Sequence, residues 1–392
     1  MHHFSFARQP ILNLSLDVHA YEFLYRPTDQ ANDSNHSITA EVLASSIIDL
    51  GLDKASNNKL AFINMSYDDI MSPHIESLPA NKLVLELLED IKPDPALVLR
   101  AKSLHEKGFT FALDDFIYTP DWDPLIDLAD IIKFDLTTTT LQENKALIQQ
   151  LRTKKITFLA EKVETYQEFE AYRDISCELF QGYFFCKPEH IKGKSITANS
   201  STQTQLLAVV NQPDITLDEL KNTIEQDPNL TYMLLKYLNS AYFSFSKPIQ
   251  SIKQAIVIIG INNLTKWVTL LSLRNMSSKP SELLRISLVR AKLAELIAVE
   301  KKFTNSSSFF LAGLLSNIDA MLDSTMQNII PPMSLDSDIA NALLHREGAI
   351  GQVLTNITEY ENQNALPTGI EISSAYLEAC QWTDQTLNSL IS

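Results

Sequence analysis

The chain has 392 residues, 45% hydrophobic and 20% charged, with a formal net charge of −16. That length predicts two domains with two cores, and the acidic balance argues against a nucleic-acid groove or an anionic membrane surface as partner. No apolar run approaches the roughly 18 residues of a membrane span.

The opening MHHFSFARQP lacks the basic and apolar regions of a signal peptide. Cys177, Cys186 and Cys380 are odd in number and form no CxxC, so a reducing cytoplasm is the expected compartment. Each reads as a core residue rather than a reactive thiol.

Residues 1 to 191 alternate short apolar runs with stretches of helical spacing, such as Ala40 to Leu52, Ala96 to Lys107 and Leu141 to Lys154. This rhythm predicts parallel strands joined by right-handed crossovers, an α/β TIM-like barrel. Residues 192–205 (KGKSITANSSTQTQ) are polar and rich in Ser and Thr, and read as a linker. Residues 206–392 read as an all-α domain. Thr216 to Glu219 has the form of a capping box, Asp227-Pro228 an N-cap followed by a first-turn proline, and Ser251 opens a helix that Gly260 ends. Further helices are expected over Asn262 to Met276, Ser281 to Lys301 and Ser373 to Leu390.

The barrel strands share one property: each ends in a carboxylate, an amide or a lysine. Glu22 closes VHAYE, Asn64 follows AFI, Glu86 follows KLVL, and Asp114-Asp115 follow FTFAL. Lys133 and Asp135 follow DII, Glu161 follows ITFLA, and Gln181 follows ELF. In order, they describe a ring of oxygen ligands at the mouth where such barrels keep their chemistry. Hard cations such as Mg2+ or Mn2+ prefer these oxygens. Glu22, Asn64, Glu86, Asp114, Asp115 and Glu161 could serve two ions, with Asp114 shared. Such a pair can activate water and stabilise the leaving oxygen of a phosphodiester. Lys133 would hold a water or phosphate oxygen, and Gln181 would orient the ligands from behind. From spacing alone, strand-end acids are also ordinary helix caps and solvated rims.

Seven segments, RQPI…YEFLYR, FINMS, LELLED, LDDF, IIKFD, AEKVET and FQGYFFCKP, together resemble the EAL family of cyclic di-GMP phosphodiesterases across residues 6–188. The resemblance places Glu22, Asn64, Glu86 and Asp114 on the first metal, and Asp115 and Glu161 on the second. It sets Lys133 near the nucleophilic water and Gln181 beside the metals. Gln9 and Arg26 fall on positions that contact the dinucleotide, with Asp135 at a guanine or ribose–phosphate edge. The implied reaction opens one phosphodiester of cyclic di-GMP to the linear dinucleotide.

The chain also departs from the family. The signature triplet is Glu22-Phe23-Leu24, with phenylalanine for alanine. The glycine- and serine-rich loop of active members is replaced by DDFIYTPDWDPL (Asp114 to Leu125), and no glycine lies between Phe109 and Gln181. Glu164 matches the glutamate that braces that loop. Lys162 stands where the family has glycine, and is expected to set a cation beside Glu161.

Thr204 to Met276, extended by HREGAIGQVL, resembles an HDOD domain, related in fold to metal-dependent phosphohydrolases. It has no His-Asp dipeptide, and His345 is the only histidine after His190. A histidine metal site is therefore not expected, and His345 reads as a helix-end residue. The resemblance implies a module for an unidentified protein partner and leaves a homodimer open. Three readings stand: a slow or regulated phosphodiesterase, an inactive cyclic di-GMP-binding protein, and a structural adaptor.

Overall fold

In the computed structural model, described over residues 4–27, 52–187, 205–240, 243, 245, 248–276, 279–333, 335–361 and 372–391, eight strands close a barrel in chain order. They are β1 (Phe4–Asn13), β2 (Val18–Pro27), β3 (Leu60–Met65), β4 (Leu83–Leu87), β5 (Thr110–Leu113), β6 (Ile131–Asp135), β7 (Thr157–Glu161) and β8 (Leu179–Gln181). By contact, the chain divides into two compact units, Met1–Phe184 and Phe185–Ser392. Residues 192–204 of the expected linker and the expected helix over residues 40–51 lie outside the described residues.

The strands from β2 to β8 are parallel, but β1 runs antiparallel to both its neighbours, β2 and β8. An all-parallel barrel was the expectation, and the connection from Leu14 to Asp17 explains the difference. It is far too short for the crossover that a parallel pair needs. It closes instead as a hairpin: the Asn13 carboxamide oxygen accepts from the backbone N–H of Ser15 and of Asp17, both at 2.9 Å, and Leu16 takes φ 61°. Asparagine is suited to this because its short side chain can mimic a turn of backbone.

One residue from each strand packs inside the barrel: Ile11, Ala20, Phe62, Val84, Ala112, Ile131, Leu159 and Leu179, none more than 6% exposed. Burial of each large member contributes about 1.5–3 kcal/mol. The intervening helices start where the chain supplies caps. Asp94 accepts from Leu97 N–H ahead of Pro95–Glu106, and Thr140–Glu143 and Thr165–Glu168 form capping boxes ahead of Leu141–Leu151 and Tyr166–Asp174.

Among its described residues the second unit is built of helices and contains no strand. Thr216 and Glu219 form the capping box of Leu217–Glu225, and Asp227 caps Pro228–Leu238. Ser251 caps Ile252–Ile259, which Gly260 ends at φ 81°, a value open to glycine at little cost. Ile261–Met276, Ser281–Glu300 and Ile372–Ile391 follow the expected spans closely. His345 ends Ser337–His345 and is exposed. No described helix is long and apolar enough to cross a membrane.

Candidate active site

Strand side chains alternate faces, so a residue two positions beyond the apolar interior layer points inward again. Two steps from Ala20, Phe62, Val84, Ala112, Ile131, Leu159 and Leu179 lie Glu22, Asn64, Glu86, Asp114, Lys133, Glu161 and Gln181. On the reversed strand β1 the step runs backwards, from Ile11 to Gln9. All eight strands thus present a polar side chain at one level, above an apolar floor.

The eight are in close register. The Gln181 amide donates to the Glu22 carboxylate at 2.5 Å and to the Gln9 carboxamide oxygen at 2.8 Å. The Asn64 amide lies 3.4 Å from the other Glu22 oxygen. Lys133 is 1% exposed, and its ammonium stands 2.5 Å from Glu86, 2.7 Å from Asp114 and 2.7 Å from Glu161. Burial alone would lower the Lys133 pKa, but Asp114, Glu161, Glu22 and Glu86 outweigh it and hold it well above the ordinary value. Burial pushes the Glu86 and Glu161 carboxyls well above theirs, against the pull of Lys133.

Asp115 and Lys162 occupy equivalent kinks. After β5, Asp114 N–H donates to Leu87 O at 3.0 Å and Phe116 N–H to Lys133 O at 3.0 Å, so the ladder continues around Asp115 at φ 41°. After β7, Val163 N–H donates to Gln181 O at 3.0 Å, leaving Lys162 at φ 56°. Aspartate tolerates the left-handed region better than most residues. The kink brings one oxygen each of Asp114, Asp115 and Glu161 within 4.8 Å of one another. Burial, and the charge of Asp114, raise the Asp115 pKa.

A hard divalent cation fits this donor set. Five carboxylates (Glu22, Glu86, Asp114, Asp115 and Glu161) gather here, and among the described residues Lys133 is the one ammonium buried with them, paired with Glu86, Asp114 and Glu161. The Asn64 carboxamide oxygen, the Glu86 oxygen remote from Lys133 and the Gln181 carboxamide oxygen are buried without a hydrogen-bond donor. Buried acceptors left in that state are costly unless a cation or water meets them. All the donors are oxygens, the preference of Mg2+ and Mn2+.

The outlying residues fall differently. Asp135 is one level above Lys133; its carboxylate accepts from Thr137 N–H and hydroxyl, both at 2.7 Å, and pairs with Lys162. Burial would raise its pKa, but those partners hold it below the ordinary value. Lys162 was expected beside Glu161; its ion pairs are instead with Asp135 and, at 3.9 Å, with Asp115. The kink at φ 56° turns it away from the barrel interior, where Glu161 points. Arg26 pairs with Ser5 in the backbone ladder, four residues beyond Glu22. Glu164 has an exposed side chain, and its N–H donates to Glu168 at the start of Tyr166–Asp174. The rebuilt loop is pinned by Trp122, 8% exposed and edge-on to Phe116 at 5.6 Å.

Sequence reasoning missed Arg8, which is buried, stacks 4.3 Å from the Tyr21 ring centroid and donates to Ala55 O. It also missed Gly182. A Cβ there would lie 2.1 Å from Val163 O, so only glycine lets β8 run this close to the kink after β7. A lone glycine directly after FQ was the available signal.

The EAL domain family matches residues 2–188 and the HDOD domain family residues 196–333. The uncharacterized protein YuxH of Bacillus subtilis is 33% identical across 98% of both chains. The chain belongs to the EAL–HDOD family. A second relative is the cyclic di-GMP phosphodiesterase CdgJ of Vibrio cholerae, 31% identical over 98% of this chain and 93% of its own. Among solved structures, the Klebsiella pneumoniae BlrP1 manganese/cyclic di-GMP complex aligns over 46% of this chain and 55% of that one, at 20% identity and TM-score 0.38.

In the second unit one buried polar cluster is an arginine knot. The Arg290 guanidinium donates to both oxygens of Glu361 (2.6–3.1 Å) and to Asn317 at 2.7 Å, while Asn317 donates to Ser287 at 3.1 Å.

Proposed function

We propose that the chain is a divalent-metal-dependent phosphodiesterase that opens one phosphodiester of cyclic di-GMP to the linear dinucleotide. The observation that carries this reading is the complete polar level above the apolar floor, with buried acceptors aimed inward. The name of CdgJ supports the choice of substrate.

Glu22, Asn64, Glu86 and Asp114 would hold the first cation, and Asp114, Asp115 and Glu161 the second. When bound, the cations activate water and stabilise the leaving oxygen. Gln181 fixes Glu22 through the 2.5 Å hydrogen bond, so the ligand is oriented before substrate arrives. Lys133 places a permanent positive charge against Asp114 and Glu161, where it can meet a phosphate oxygen as negative charge builds. Gln9, Arg26 and Asp135 surround the dinucleotide. Glu164 supports the loop after Phe116.

The domains are set at 1–191 and 206–392 around the 192–205 linker. The HDOD module is non-catalytic: it binds a protein partner and regulates the barrel. Burial pushes the Cys177 thiol up to about 12, which suits an inert core cysteine in the cytoplasm.

The test is product analysis on the full chain with cyclic di-GMP in Mg2+, Mn2+ and Ca2+. Linear dinucleotide should form with Mg2+ or Mn2+, and Glu22→Gln should slow it at least about 100-fold. No product in either metal would sink the enzyme. Binding without turnover is the second reading, favoured by the proline- and tryptophan-stiffened loop from Ile117 to Pro124. Calorimetry with cyclic di-GMP in Ca2+ then shows heat although no product forms.

A further inference from the structure

Lys162 is a lysine where the backbone favours glycine. Its φ of 56° costs an ordinary residue free energy that glycine does not pay. It cannot relax, because Val163 N–H is bonded to Gln181 O at 3.0 Å and Leu136 N–H to Glu161 O at 3.3 Å, on either side of it. The kink sends the side chain over the rim. There its ammonium pairs with Asp135, whose carboxylate is 1% exposed, and stands 3.9 Å from Asp115. Asp115 belongs to the three-carboxylate group with Asp114 and Glu161, where the rest of the first cation's ligands take no part. A fixed positive charge at that distance competes with any cation for the same oxygen. The Lys162 side chain is 55% exposed, so solvent screens the effect without abolishing it.

We propose that Lys162 sets the occupancy of the second cation subsite. Tethered to Asp135, it weakens divalent binding by Asp114, Asp115 and Glu161 and leaves the Glu22–Asn64–Glu86 side unaffected. The proposal rests on the metal-dependent reading above. It makes this barrel one that holds a single cation firmly and completes its pair only at high metal concentration.

The experiment is stepwise Mn2+ binding to the full chain, followed by the paramagnetic resonance of free Mn2+ and by calorimetry, with no substrate present. The unaltered chain should show one tight step and one weak step. Lys162→Gly and Lys162→Ala should each tighten the weak step roughly three- to fivefold and move the tight step less than about twofold. Lys162→Arg keeps the charge and should keep the weak step weak. Circular dichroism melting of all four proteins checks that the fold is retained. Two equally tight steps in the unaltered chain, or a weak step unmoved by both Gly and Ala, overturns the role of Lys162 and leaves the phosphodiesterase reading standing. No Mn2+ bound by any of the four proteins overturns both.

Discussion

Replacing Lys133 by Met tests the electrostatics of the barrel interior most directly. The substitution keeps the length and apolar stem of the side chain and deletes a charge in contact with Glu86, Asp114 and Glu161 at 2.5–2.7 Å. At an effective dielectric of about 20, each contact at such a distance is worth about 6 kcal/mol. Most of that is offset by the desolvation of the ions, several kcal/mol each. It is further limited because Glu86 and Glu161, raised by burial, can take up protons once Lys133 has gone. The expected net loss is about 3–5 kcal/mol, the usual cost of orphaning a buried charge. For a barrel of this size that lowers the melting temperature by about 6–20 °C in chelator. Excess Mn2+ should restore much of it, since a cation replaces the missing charge. The variant should bind Mn2+ roughly tenfold more tightly and yet turn over no substrate. Melting curves by circular dichroism and Mn2+ calorimetry read both arms. A fall below about 2 °C, or a fall that Mn2+ does not reverse, would refute the view that Lys133 balances the carboxylate ring.

Two further outcomes follow from the same geometry. Glu86 and Glu161 are raised in the fold above 4.5, so above that pH the folded chain holds more protons than the unfolded one. Stability in chelator should therefore fall as pH rises from 4.5 through the raised values, while Mn2+ affinity rises over the same window as protons are displaced. Urea unfolding and Mn2+ titration at about pH 5 and about pH 7.5 measure it, and metal-free stability that climbs with pH would contradict it. In the HDOD unit, Arg290→Met leaves Glu361 buried without its guanidinium and should cost about 3–5 kcal/mol of that unit's stability. Adding Glu361→Leu should recover more than half in urea melts, and a double variant no better than the single would mean that the pair is not the cause.

The polar level was legible because a parallel barrel turns a spacing of two residues into a level in space. Ala20 and Glu22, or Val84 and Glu86, needed only the strand period and a barrel to be placed. Helix starts were legible for a similar reason, since Thr216 with Glu219, and Asp227 with the N–H groups of Asn229 and Leu230, carry their own local hydrogen bonds. The direction of β1 was missed because it depends on how Asn13 folds its own loop, and no periodicity reports that. The target of Lys162 was missed for a different reason. Adjacency in sequence suggested Glu161, but a left-handed backbone sends neighbouring side chains to different places. Lys133 was read as a hand for water or phosphate, and nothing in IIKFD shows that three carboxylates converge on it.

The reversed first strand has one consequence for anyone handling this protein. Glu22 pairs with Gln9 at the ring, and Pro27 pairs with Phe4 five residues further along β2, about 17 Å at the rise of a strand. The start of β1 therefore lies at the end of the barrel that carries the polar ring, whereas the barrel's other strands all begin at the opposite end. A tag or sensor fused to β1 thus approaches the barrel from the ring side. An engineered gate over the ring belongs on β1.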